Sequence, residues 1–161
     1  MINLKSQERK TAMTQYIYLA SPIRLPKGSF GQSSLAPEQP NIFKSELDFA
    51  HLHFENNYDP GLKERFSYSP HFSFKHQVAA DARDIPLKLQ LRGTAEEAKC
   101  LGILHAYIEE VLQASGVVEY FTCLNGKEES AISKKRHIRW SDMKDTYDLV
   151  LEDLEFWEIT F

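Results

Sequence analysis

Four of the six histidines in this chain fall in one stretch: His51, His53, His71 and His76. Imidazole is the commonest side-chain metal ligand. Two imidazoles two residues apart on a strand point to the same face. On a strand, His51 and His53 would therefore form half of a divalent-metal site. Glu55 shares that strand face, and His71 or His76 would complete the set from a neighbouring strand. A catalytic zinc takes three protein ligands and keeps one position open for water. A metal-dependent hydrolase is one reading of the chain. It depends on strand conformation, because residues i and i+2 diverge on a helix.

Two charged runs carry other chemistry. Lys134-Lys135-Arg136-His137-Ile138-Arg139-Trp140 is basic and ends in an aromatic ring. Lys134, Lys135 and Arg136 would hold phosphates and Trp140 would stack a base, which gives a nucleic-acid accessory protein as a second reading. Between residues 142 and 158 the sign reverses. Asp142, Asp145, Asp148, Glu152, Asp153, Glu155 and Glu158 are interleaved with Tyr147, Phe156 and Trp157. Carboxylates beside large aromatics suit a basic protein partner, through electrostatic steering and aromatic anchors. Glu152, Glu155, Trp157 and Glu158 are the expected contacts.

Other motifs are weaker. Pro26-Lys27-Gly28-Ser29-Phe30-Gly31 looks like a phosphate cradle but lacks the full glycine-rich pattern and a helix to open, so it reads as a turn-rich loop. No serine has a G-x-S-x-G setting. Cys100 and Cys123 have no metal spacing and read as reduced core residues, since a free cysteine packs as a small hydrophobe. His105 lies beside the buried stripe of a helix and reads as structural.

The elements that must position these groups follow from periodicity. Residues 15–20 read as a strand of β-branched and aromatic residues. Residues 21–41 hold four prolines and read as a long loop. Residues 42–58 fit helix or strand, with a strand over 47–55 preferred. Residues 66–79 alternate weakly around Pro70, which predicts an edge strand or two short ones. Residues 87–91 alternate cleanly and predict a strand. A helix from about 95 to 114 opens with the capping box of Thr94 and Glu97. Leu101, Leu104, Ile108 and Val111 are its buried stripe, and Gly116 its stop. Strands follow over 117–124, 137–140 and 156–161, with a short second helix near 142–153. The expected fold is α+β: a mostly antiparallel sheet packed on one main helix.

Composition bounds the class. The chain has 161 residues, which suits one domain, here 13–161 after a disordered tail over 1–12. An aromatic share of 12% argues against overall disorder. The net charge of −4 gives no general attraction to nucleic acid or anionic membrane. No apolar run reaches the ~20 residues of a membrane span. The start lacks the apolar centre of a signal peptide, so the cytoplasm is expected. Together these favour a small non-catalytic interaction domain that binds a basic protein and needs no cofactor. An immunity- or antitoxin-like protein would be one form of it.

Overall fold

The computed structural model describes residues 14–56 and 69–161. The expected tail over 1–12 and the start of the expected strand at 66–68 lie outside the described residues. The strands are β1 (Gln15–Ser21), β2 (Gly28–Phe30), β3 (Leu52–Asn56), β4 (His76–Asp81), β5 (Val117–Leu124), β6 (Lys134–Arg139) and β7 (Glu155–Thr160). The helices are α1 (Glu46–Phe49) and α2 (Ala95–Ser115). The strands form one sheet in the order β2-β3-β4-β1-β5-β7-β6.

The α+β class holds, but the sheet is mixed. β6 runs parallel to β7, while the other neighbours are antiparallel. Parallel neighbours need a crossover between them. The acidic segment after β6 supplies it. In place of a second helix near 142–153 it makes two 3-10 turns, Trp140–Asp142 and Thr146–Leu149. The second is fixed by a capping box between Asp145 and Asp148, and Leu149, Val150 and Leu151 are then buried.

β1 and β5 are buried on both faces because large apolar residues occupy successive positions. Ile17, Leu19 and Tyr120 face α2 and pack with Leu101, Leu104 and Ile108. Tyr18, Phe121 and Cys123 face the other way, with Phe72 and Phe156. α2 opens with the expected capping box and closes at Gly116, whose φ of 79° suits a residue without a Cβ.

The second face is closed by loops held through buried acids. Glu119, 2% exposed, accepts the backbone N–H of Ser73 at 2.8 Å and of Phe74 at 3.3 Å. Glu128 accepts the Tyr18 hydroxyl at 2.9 Å. Burial raises the Glu119 carboxyl above its ordinary value of 4.5, the Ser73 and Phe74 N–H groups lower it, and Glu158 raises it further. A carboxyl raised in the folded state takes up a proton on folding. Its contribution is full below pH 4.5 and is lost as pH rises through the folded value. Glu119→Gln should therefore gain stability relative to the native chain as pH climbs from 4.5. Urea unfolding across that range checks this, and a pH-independent difference would contradict it.

Several expected elements fall elsewhere. Residues 87–91 are no strand. Lys88 N–H bonds Leu151 O at 2.9 Å and Gln90 N–H bonds Leu87 O at 2.8 Å, closing a 3-10 turn. Leu89 is left 99% exposed. The preferred strand over 47–55 splits into α1, capped by the Ser45 hydroxyl, and β3. The middle of the 26–31 cradle, Gly28–Phe30, is β2 and pairs with β3. β4 is no edge strand but lies between β3 and β1, with Pro70 in the turn before it. β6 starts three residues earlier than the expected 137–140, and Trp140 lies outside it. Among the described residues, no helix is long and apolar enough to cross a membrane.

Candidate functional site

The start of α2, the end of β4 and α1 meet around a cleft. Local chemistry fixes each wall. Lys99 on α2 donates to Leu47 O at 2.6 Å and Asp48 O at 3.4 Å, which satisfies carbonyls left open at the end of α1 and fastens it to α2. Ser33 N–H bonds Asp48 O from the outside at 2.9 Å. Glu97 is buried and accepts the N–H groups of Arg92 and Thr94 at 3.1 and 2.9 Å, which holds the chain leading into the helix.

The cleft has a volume of about 510 Å³. Its charged lining is Glu46, Asp81, Asp84 and Glu96 against Arg83, with His51 and His53 on the same wall. A second depression of about 590 Å³ shares Glu46, Arg83, Asp84 and Glu96 and runs on toward Arg92. Burial raises the Asp84 carboxyl above its ordinary value; Arg83 lowers it, and the negative Glu96, Glu97 and Asp81 raise it again. Negative charge is crowded here and incompletely neutralised.

Beside these acids lies exposed apolar surface. Leu47 is 38% and Phe49 45% exposed. Phe49 meets Phe43 edge-on at 5.1 Å and His51 at 5.2 Å, a chain of rings leading into the cleft. Leu35 and Ile42 are exposed too and are tied by a Leu35 N–H to Ile42 O bond of 2.6 Å. Half of the large exposed hydrophobics among the described residues lie between 35 and 49. Apolar residues grouped on a surface and rimmed by charge mark a docking surface.

The four expected histidines do not come together. His51 Nδ1 lies 2.8 Å from Phe49 O. His53 Nδ1 lies 2.8 Å from Ser29 Oγ, and its Nε2 lies 3.7 Å from Glu55. These two share the cleft wall. His71 is elsewhere: its Nε2 lies 2.6 Å from Ser130 O, and its ring packs on Phe121 of the second face. His76 begins β4, whereas the β3–β4 register carries His53 toward the other end of that strand. Among the described residues, no three His, Cys, Asp or Glu side chains group closely enough to hold a metal ion. The strand register, which the sequence does not reveal, is what keeps the expected set of four apart.

The C-terminal acids also divide. Glu152 and Glu158 are exposed. Glu155 is 0% and Trp157 3% exposed, so neither is on an exposed surface. Glu155 accepts Trp157 Nε1–H at 2.6 Å and Glu152 N–H at 2.9 Å, with Arg136 at 3.9 Å. β7 is an interior strand because β6 lies outside it, and the face carrying Glu155 and Trp157 is the one that packs in the α2-side core with Leu149 and Leu151.

In the basic run, Lys134, Lys135 and Arg136 are exposed on β6. Trp140 is 7% exposed and packs on His105 with ring centres 4.6 Å apart, so it does not present a face for a base. Cys100 and Cys123 are free and buried. Burial pushes both thiols up to about 12, which removes them as nucleophiles near neutral pH. Sequence reasoning missed Asp81, Asp84 and Glu96. The available signal was Asp81-Ala82-Arg83-Asp84 placed shortly before the acidic first turn of a well-capped helix. Comparison with protein-family models, with curated proteins and with solved structures returns no match.

Proposed function

We propose that this chain is a protein-interaction domain that receives a basic partner at the cleft between α1, the end of β4 and the start of α2. The observation that carries the reading is the pairing of exposed Phe49 with the carboxylates of Glu46, Asp81, Asp84 and Glu96 in one cleft lining. Aromatic anchors supply affinity at such surfaces, and charge supplies steering and selectivity. Burial raises the Asp84 carboxyl and the negative Glu96, Glu97 and Asp81 add to it; a cation entering the cleft would offset that added repulsion. Binding should therefore favour the ionised carboxyl and weaken as pH falls through its raised value.

Glu152 and Glu158 lie outside this cleft lining. They add to the negative field but are not the anchors. Phe49→Ala tests the reading. The ring is nearly half exposed, so its loss should leave thermal unfolding almost unchanged. Affinity for a basic protein captured on the immobilised native chain should fall by roughly 30-fold, the loss of about 2 kcal/mol typical of an aromatic anchor. Equal capture by native and Phe49→Ala chains would rule out the cleft as the docking surface.

A further inference from the structure

β6 ends the sheet, and among the described residues nothing pairs with its outer edge. Its sequence is Lys134-Lys135-Arg136-His137-Ile138-Arg139, and only Ile138 is buried. Alternation sends these cations to both faces. Arg136 lies over Trp157 on the α2 side at 5.7 Å. Lys135 lies over Phe156 on the opposite side at 5.4 Å. A groove of about 780 Å³ runs beside the strand, and its lining includes Lys88, Arg136, His137, Arg139 and Tyr147, with the acids Asp142 and Asp148. Among the described residues Arg136 alone of the β6 cations makes an ion pair, a long one to Glu155.

We infer that the outer edge of β6 receives an extended acidic segment of a protein partner as an additional strand. An open edge offers a row of backbone donors and acceptors that such a segment can complete. A strand laid there also sends its side chains alternately to both faces, so acids at successive positions would meet Lys134 and Arg136 on one side and Lys135 and Arg139 on the other. A nucleic acid fits less well. It would draw on cations gathered on one face and on an exposed ring for stacking, and Trp140 and Trp157 are both buried. Lysines on an edge commonly deter pairing with other chains. The same charges that repel a neutral or basic strand favour an acidic one. This surface is separate from the cleft of the proposed function, and either can fail without the other.

The probe is a short fluorescent peptide of Glu, Asp, Thr and Val, titrated by anisotropy onto the full chain. Amide hydrogen exchange is followed along β6. The expected results are binding that weakens with salt, slowed exchange of the β6 amides, and no binding of the same peptide with Lys at each acidic position. Lys134→Glu with Arg139→Glu should weaken binding about tenfold or more at an unchanged melting temperature. Lys134→Ala with Arg139→Ala, which should weaken it less, serves if the reversal disturbs folding. Unchanged β6 exchange, equal binding by the variants, or binding of a thymidine oligonucleotide in preference to the peptide would overturn the inference. So would self-association that protects β6 without peptide, since the occupant would then be a second copy of the chain.

Discussion

Asp84→Lys combined with Glu96→Lys should reduce affinity for the basic partner roughly 100-fold. Each reversal removes an attraction and adds a repulsion at a surface that a docked partner desolvates, where close charge pairs are worth about 1.5 kcal/mol or more. The fold should survive. Burial raises the Asp84 carboxyl, Arg83 lowers it, and Glu96, Glu97 and Asp81 raise it again, so on balance its charge opposes rather than supports the folded state. Glu96 lies in the first turn of α2, where losing an acid costs about 0.3–1 kcal/mol. Asp84→Asn with Glu96→Gln, the milder pair, should fall between the native chain and the reversal. Affinity measured by calorimetry at two salt concentrations checks both, and the gap between native and reversed chains should shrink at high salt.

The second large effect is on stability. Glu155→Ala should destabilise the fold by about 3 kcal/mol. Glu155 is fully buried, and its two oxygens accept from Trp157 Nε1 and Glu152 N. Truncation leaves those donors without their acceptor at about 1–3 kcal/mol each. Arg136 adds little, being half exposed and 3.9 Å away. Glu155→Gln keeps one oxygen as an acceptor and should lose about half as much. The urea midpoint reads the difference, and an alanine variant as stable as the native chain would refute the burial argued here.

That residue also marks the limit of what the sequence could say. Glu-Phe-Trp-Glu-Ile-Thr alternates as a strand, and the strand is there as β7. Which of its acids stays wet depends on what lies beside it. Glu158 is exposed and Glu155 is not, because Glu155 shares the face of Trp157 and Ile159 that packs in the α2-side core, whereas Glu158 points to the other face. No local pattern announces a parallel edge strand reached before its neighbour in the chain. By contrast α2 was legible from end to end, since its cap, stripe and stop are all local signals.

The cleft was the least legible part. Residues 46–53 carry a helical turn followed by a strand, and a window spanning both matches neither period. His51 and His53, the metal ligands expected from spacing, lie in the cleft wall. Their Nδ1 atoms lie against the Phe49 carbonyl and the Ser29 hydroxyl, His53 Nε2 lies 3.7 Å from Glu55, and among the described residues no third donor joins them closely enough to hold a metal ion. Phe49 falls within the strand that periodicity favours over 47–55. Its exposure follows from α1 docking through Lys99 carbonyl bonds, a contact across about fifty residues of chain.

The most direct test of the central claim is the amide hydrogen-exchange footprint of the captured basic partner on the native chain. Slowed exchange is expected at 46–51, 81–85 and 94–98, with the 152–158 segment unchanged. Protection confined to 152–158, or spread with none at α1 and the start of α2, would contradict it.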